Sequence, residues 1–345
     1  MKKNGKINLL IVVGTLVLVV GAFIVVTKTT AFQTAETVDI ATPLNTCDPN
    51  VFPLRVASKN GYFAKENINV NLADASGDLL TNLNNGKSDP NADVLVMGRG
   101  EFYRLEDKHP GMFKIFAFGL QDKNKWNDAI IVRRDSGIAS LGQLQGKTIG
   151  ISFGDARDAT ARVSATSEEM EPREAAIRTM LEKNGLDPAE FPLVSANLAA
   201  LENNTISALH IREPFLTFGL HSGKYEILEE GPIFARYVFN LNPWAMSVSG
   251  ISSEFTQQKP ETAKKIVQVW DQSVSFIREN PAEADTILQE CMKENFGLSG
   301  ATVRQLTHWK SSETDKNLVQ QQLQWYYSIG VTSKELNVDD ILLSP

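Results

Sequence analysis

A serine lies between two glycines in the segment GISFG (residues 150–154), directly after the apolar residues of a predicted strand. This pattern matches G-x-S-x-G, the turn that presents the nucleophile of many serine hydrolases. Such an enzyme also needs a histidine base, an acid that orients it and oxyanion donors. Of the four histidines only His308 suits the usual order of serine, acid and histidine, and no H-G-G-G-like segment precedes Ser152. Serine hydrolysis is therefore the less favoured alternative.

The preceding segment, GQLQGKT (142–148), shares letters with the phosphate-binding loop of nucleotide-binding proteins. Only three residues separate its glycines, and it comes before its strand instead of after it, which excludes that loop. The third interpretation is a turn that holds a ligand without changing it. A strand end that leads into a helix offers free N–H groups and a partial positive charge. Ser152, Asp155 and the amides beside them are thus predicted to bind a small polar ligand.

Alternating strands and helices must position this turn. Strand patterns occupy residues 37–43, 68–73, 92–98, 112–119 and 128–135, and a second cycle begins at 147–152. After residues 244–250 the apolar spacing becomes helical, including the segment 301–309. This order predicts an α/β fold with two lobes, mostly parallel sheets and a helical C-terminal part. We expect lobe 1 to comprise residues 37–125 plus 250–345 and lobe 2 to comprise residues 126–249.

The first 36 residues have the pattern of a cytoplasmic tip, a transmembrane anchor and a linker. Three lysines precede 18 uncharged residues, Leu9 to Val26, which as a helix would extend roughly 27 Å. Lysines on the short side keep that side cytoplasmic, so the globular part is predicted to lie on the extracytoplasmic (periplasmic) side of a single-pass membrane protein. A signal peptide cleaved after Ala31 is the alternative.

Composition limits the partners and cofactors. The net charge of −7 argues against nucleic acid, because phosphate binding requires a basic face. The two cysteines, Cys47 and Cys291, are too few and too far apart for a zinc motif. No metal and no cofactor is predicted. A disulfide between these cysteines outside the cytosol stays open, because their spacing alone does not decide it.

Several segments match a known family in order and spacing. They are GYFAKENINVNL (61–72), LLTNLNNGKSDPNADVLVMG (79–98), IASLGQLQGKTIGIS (138–152), ALENNTISALHIREPF (200–215) and residues 252–284. Together they resemble the solute-binding proteins of ABC importers in the nitrate, sulfonate, taurine and thiamine-pyrimidine group. The resemblance implies a type II periplasmic-binding fold with the ligand between its lobes. It also implies a membrane permease with a cytosolic ATPase as partner, and no enzymatic activity.

The resemblance further implies that loops at the ends of strands contact the ligand. This agrees with the rule that ligands of doubly wound sheets lie beyond the carboxyl ends of the strands. The residues carried over are Thr46, Cys47, Ser76, Gly98, Ser152, Gly154 and Glu213. Trp244 is expected to form a wall of the site, although a buried core role is the alternative. Arg99 suits an anionic ligand through its two-pronged donors, or else a salt bridge to Glu101 or Asp155. Glu213 has a structural alternative, in which it fixes the crossover between the lobes.

The predicted function is reversible capture of a small anionic or zwitterionic solute by closure of the two lobes. A ligand that touches both lobes favours the closed state, and hinges near residues 120–130 and 212–250 absorb the rotation. The alternative from another class is a membrane-anchored sensor or co-receptor that uses the same clamp. Such an anchor is a difference between this chain and most members of the family.

Overall fold

Two β-sheets, each covered by helices, organise the chain. The computed structural model describes residues 34–42, 47–74, 92–153, 156–157, 167–240 and 243–344. Thr46, Ser76, Gly154 and Asp155 lie outside the described residues, and so does the proposed anchor at 9–26. Among the described residues, no helix combines the length and the apolar character that a membrane span requires.

The first sheet has six strands in the spatial order β11-β4-β10-β3-β1-β2. Their bounds are β1 Glu36–Thr42, β2 Ile68–Asp74, β3 Val94–Gly98, β4 Phe113–Gln121, β10 Trp244–Ser252 and β11 Thr307–His308. The second sheet has five strands in the order β7-β6-β8-β5-β9. Their bounds are β5 Asp128–Arg133, β6 Ile149–Ile151, β7 Leu193–Ser195, β8 Ala208–Arg212 and β9 Tyr225–Glu230.

Both sheets mix strand directions, so the prediction of mostly parallel sheets is corrected. β1 runs parallel to β3, and β6 runs parallel to β7 and β8. β10 is antiparallel to β3 and β4, and β5 is antiparallel to β8 and β9. The reason is connectivity, because β5 and β10 each follow a passage from the other sheet. β10 also shows that residues 244–249, assigned by the sequence to lobe 2, belong to the first sheet.

Most of the helices lie where apolar spacing and stop signals predict them. Their bounds are α1 Phe52–Lys59, α2 Tyr62–Lys65, α3 Arg99–Lys108, α4 Ser167–Lys183, α5 Leu198–Glu202, α6 Phe215–His221, α7 Ser253–Gln258, α8 Pro260–Glu279, α9 Pro281–Phe296, α10 Lys316–Ser328 and α11 Val338–Ile341. A π-helical segment, Phe234–Phe239, precedes β10. The core forms where helices cover the sheets, as where Trp270 of α8 meets Phe116 of β4 edge-on at 5.8 Å between ring centroids.

The segment 301–309 is extended, which corrects its assignment as a helix. Its last part forms β11, where Thr307 and His308 pair with Leu120 and Gly119 of β4. The imidazole of His308 donates from Nε2 to the carbonyl of Pro49 at 2.9 Å. These long-range bonds replace the local helical bonds that the apolar spacing suggests.

Candidate functional site

A small cavity, partly open to solvent, is lined by residues from both sheets. The junction of β3 and α3 supplies Gly98, Arg99, Gly100, Glu101 and Arg104, and β10 supplies Met246. The second sheet and its helix supply Pro172, Arg173 and Arg212, and Phe234 and Tyr326 complete the lining. Four of these side chains are guanidinium groups and one is a carboxylate.

The start of α3 forms one side of the cavity because its glycines lack side chains. A Cβ atom on Gly98 would lie 2.1 Å from Oε2 of Glu101, and one on Gly100 would lie 3.3 Å from the ring of Tyr326. Gly98 is the N-cap residue, so the first N–H groups of the ten-residue helix begin here. Helix starts have unpaired N–H groups and a partial positive charge, which both favour anions.

Arg99 is buried beside these N–H groups and is held by aromatic rings. Its side chain is only 3% exposed, and its guanidinium carbon lies 4.3 Å from the ring centroid of Trp244 and 4.9 Å from that of Phe234. Nη1 donates to the carbonyl of Met246 at 3.0 Å, whereas Nε and Nη2 have no acceptor among the described residues. Burial lowers the pKa of Arg99. The guanidinium is therefore positioned, charged and incompletely paired.

Three further arginines surround the same space. Arg104 is buried and its Nη2 lacks an acceptor among the described residues, as does Nε of the partly buried Arg212. Arg173 donates to the carbonyl of Ser152, and its guanidinium carbon lies 4.1 Å from the ring centroid of Phe153. Buried charged donors without acceptors are costly, so their concentration at one cavity indicates a site for an anion.

Among the described residues of the lining, Glu101 is the one acid, and its carboxylate lies close to Gly98. Burial alone would raise the pKa of this carboxyl. Arg173, its own backbone N–H, Arg104 and Arg212 together lower the pKa below its ordinary value. Glu101 is therefore ionised and offsets one of the four positive charges.

Of the residues predicted from sequence, the structure brings Gly98 and Arg99 into the cavity. Ser152 lies next to it through the bond from Arg173 to its carbonyl oxygen. Trp244 is fully buried, and its ring lies against the guanidinium of Arg99. It therefore belongs to the core that shapes the site. Trp244 also stacks on Phe239 with ring centroids 4.3 Å apart.

Cys47 and Glu213, both predicted as ligand contacts, are engaged with other residues of the chain. Cys47 is fully buried and bonded to Cys291, which closes the question of the disulfide. Glu213 accepts bonds from the backbone and hydroxyl of Thr217, each at 3.0 Å, and pairs with Arg304 at 3.0 Å. Burial raises the pKa of Glu213 in spite of that arginine. These bonds agree with the structural alternative for Glu213.

The two buried histidines do not form a serine-hydrolase triad with Ser152. Nε2 of His210 contacts Oδ2 of Asp128 at 3.1 Å, and Nε2 of His308 is bonded to the carbonyl of Pro49. Burial lowers the pKa of both histidines. Within the described residues, no group of three or more histidine, cysteine or acidic side chains is placed to hold a metal ion.

Sequence reasoning missed several residues of the lining. Arg212 stands directly before Glu213, in a strand-end loop that was already singled out, and Arg104 follows Arg99 by five residues on one helix. Both arginines could therefore have been recognised from the sequence. Arg173, Phe234 and Tyr326 come from distant parts of the chain, and no local pattern marks them.

Comparison with solved structures identifies the fold. The periplasmic aliphatic sulphonate binding protein SsuA from Escherichia coli has 14% identity and a TM-score of 0.60 over 89% of this chain and 97% of its own. A ligand binding component of an ABC-type import system from Staphylococcus aureus, solved with zinc bound, has 15% identity and a TM-score of 0.62 over 89% and 96%. The desulfurization enzyme DSZB has 15% identity and a TM-score of 0.63 over 89% and 96%.

These similarities establish a two-lobed α/β fold of the periplasmic-binding-protein type, a fold that also occurs in an enzyme. Among curated proteins, no sequence matches the chain significantly. The family model described as NMT1/THI5 like matches residues 48–284, which is more than half of the chain. The resemblance drawn from the sequence segments is therefore confirmed, and the chain belongs to the NMT1/THI5-like family.

Proposed function

We propose that this protein is the extracytoplasmic solute-binding component of an ABC-type importer, and that it captures a small anionic solute in the cavity between its lobes. The observation that carries the proposal is the group of buried, incompletely paired arginine donors at the start of α3. Similarity to the sulphonate-binding protein SsuA supports a binding role. The buried donors of Arg99 and Arg104 that have no acceptor among the described residues favour an anion over a zwitterion.

The two sides of the cavity support capture by lobe closure. Arg99 and Arg104 belong to the first sheet's side, and Arg173 and Arg212 to the second. An anion that touches both sides binds more tightly when they are close together, and this difference in affinity shifts the equilibrium towards closure. The passages between β4 and β5 and between β9 and β10 are the proposed hinges.

The proposed cycle places the protein outside the cytoplasmic membrane. The apolar segment 9–26 would anchor it beside a permease, and tethering raises the effective concentration for docking. The ATPase of such a permease works on the cytosolic side, so the binding protein itself needs no cofactor. The solute is released chemically unchanged.

Calorimetric titration of the full-length protein with nitrate, methanesulfonate, taurine, phosphate and simple carboxylates tests the proposal. At least one anion should bind, and Arg104→Gln should weaken its binding about tenfold or more, because one buried charge-assisted bond is lost. Arg134→Gln is the matched control, since the side chain of Arg134 is 60% exposed and lies outside the cavity. Binding that Arg104→Gln leaves unchanged would refute the assignment of the site.

A further inference from the structure

A buried carboxylate outside the lining lies beside one of the lining arginines. Asp128, the first residue of β5, is fully buried, and its register partner on the antiparallel strand β8 is Arg212. Directly opposed residues of two antiparallel strands project from the same face of the sheet, with Cβ atoms about 4.5–5.5 Å apart. The carboxylate of Asp128 therefore lies on the same face of the second sheet as the side chain of Arg212, which lines the cavity.

Asp128 is held in place by donors from two different strands. Nε2 of His210, two residues before Arg212 on β8, donates to Oδ2 of Asp128 at 3.1 Å. Nε2 of Gln121, the last residue of β4, donates to Oδ1 at 2.6 Å. Gly231 occupies a further side, because a Cβ atom there would lie 2.7 Å from Oδ1 of Asp128. A carboxylate with these neighbours has little freedom to move.

The negative charge of Asp128 acts on Arg212. Burial alone would raise the pKa of Asp128, but the bond from His210 and the nearby Arg212 lower the pKa below its usual range. Asp48 and Glu101 also attract Arg212 electrostatically, but neither residue lies on a neighbouring strand. An ionised carboxylate beside a guanidinium favours the orientations in which the two charges are close.

We propose that Asp128 is a positioning residue for the solute: it holds the guanidinium of Arg212 in the orientation that lines the cavity, and the bond from Gln121 connects this arrangement to the first sheet. The inference rests on the proposed function, because it assigns a supporting residue to the same anion site. Asp128 is not part of the lining, so it acts on the anion through Arg212. An arginine that is already oriented loses less side-chain freedom when the anion binds.

A double-mutant cycle separates action through Arg212 from a general effect on the fold. Calorimetric titration of the full-length protein with nitrate, methanesulfonate, taurine, phosphate and simple carboxylates gives the anion that binds most tightly. Asp128→Asn keeps the size of the side chain and removes its charge, and it should weaken binding of that anion about five- to tenfold. In the Arg212→Gln background the same change should have less than about a twofold effect, because the group that Asp128 positions is absent.

The same cycle can be measured without an anion. Urea unfolding of the wild type, the two single variants and the double variant should show non-additive effects of Asp128→Asn and Arg212→Gln, because the two side chains interact. Gln121→Met removes a donor to Asp128 at nearly constant volume and leaves the carboxylate in place. It should weaken anion binding about threefold, again only in the presence of Arg212, and it provides the test if Asp128→Asn does not fold.

Asp135→Asn is the matched control for the loss of a carboxylate. Asp135 follows the other end of β5, its side chain is 76% exposed, and it lies outside the cavity. This variant should bind the anion as tightly as the wild type does, with or without Arg212→Gln as a second change.

Each outcome decides one level of the proposal. A loss of affinity that depends on Arg212 supports the inference. Unchanged or tighter binding by Asp128→Asn, an equal loss with and without Arg212, or additive effects on unfolding would overturn the inference and leave the proposed anion site standing. Absence of binding by every anion tested would overturn the proposed function and the inference with it.

Discussion

Arg99 illustrates how a charged side chain is fixed inside this protein before any ligand arrives. Aromatic rings of Trp244, Phe234 and Tyr326 surround its guanidinium, and one bond to the Met246 carbonyl sets its orientation. Cation–π contacts of a desolvated guanidinium contribute about 2 kcal/mol or more. Because Nε and Nη2 have no acceptor in the part of the chain that the structure describes, the side chain is held in place and still able to donate.

Glu101 provides a prediction at the residue scale. Its ionised carboxylate lies in the lining and repels any anion that enters. Glu101→Gln should therefore strengthen anion binding about three- to tenfold, measured by calorimetry with the tightest anion found. The loss of a negative charge at the start of α3 should cost about 0.3–1 kcal/mol of unfolding free energy.

Glu261→Gln is the matched control for that change. Glu261 is also an acid in the first turn of a helix, but it is exposed on α8 and lies outside the cavity. It should change stability by a similar amount and leave anion affinity unaltered. Weaker binding by Glu101→Gln would show that the carboxylate contacts the ligand favourably, contrary to this account.

The residues of the cavity also show where sequence reasoning succeeds and where it stops. Gly98 and Arg99 were predicted because ligands in α/β folds lie beyond the ends of strands, and β3 ends at this position. Arg173 and Tyr326 reach the cavity from α4 and α10. Their contribution depends on how distant helices pack, and no local spacing encodes that.

At the scale of elements, β11 is a strand of two residues that no periodicity reveals. Its position depends on His308, whose ring donates to the Pro49 carbonyl at 2.9 Å and is nearly fully buried. Thr307 and His308 extend the first sheet beyond β4. A long element such as α8 was predicted because many residues repeat one pattern. β11 and the antiparallel placement of β10 arise from tertiary pairing alone.

His308 gives a pH prediction at this scale. Burial lowers the pKa of His308 from 6.5 to about 3, so the unfolded chain binds a proton that the folded chain refuses. Stability from this group is fully present above pH 6.5 and falls by about 1.4 kcal/mol per pH unit as the pH decreases towards 3. His308→Gln keeps a donor for Pro49 but does not titrate. Urea unfolding from pH 7 to 4 should show a wild-type advantage that shrinks with acidity, and a constant difference would contradict this cause.

On the scale of the whole molecule, two contacts connect the lobes beside the cavity. Arg304 from the segment before β11 pairs with Glu213, next to the end of β8. Arg157, which follows β6, donates to the carbonyl of Asn295 at 3.1 Å and lies 4.1 Å from the ring centroid of Phe296. Both contacts link residues of the two lobes.

The disulfide gives a prediction on this scale. Cys47 and Cys291 are separated by 244 positions, and both are fully buried. Closing so long a loop reduces the entropy of the unfolded chain, and reduction should lower the free energy of unfolding by about 3–5 kcal/mol. The double variant Cys47→Ala with Cys291→Ala should match the reduced protein and show no response to a reductant. Equal stability with and without reductant in the wild type would contradict the role assigned to this bond.

Binding of an anion in the cavity through Arg99, Arg104 and Arg212 is the step on which the proposed function depends. Anomalous diffraction from crystals soaked in selenate tests it most directly, because selenium locates a tetrahedral dianion without assumptions about the surrounding density. We expect the strongest selenium peak within hydrogen-bonding distance of these guanidinium groups and of the first N–H groups of α3. A cavity without a selenium peak, or selenate bound only on the outer surface, would contradict it.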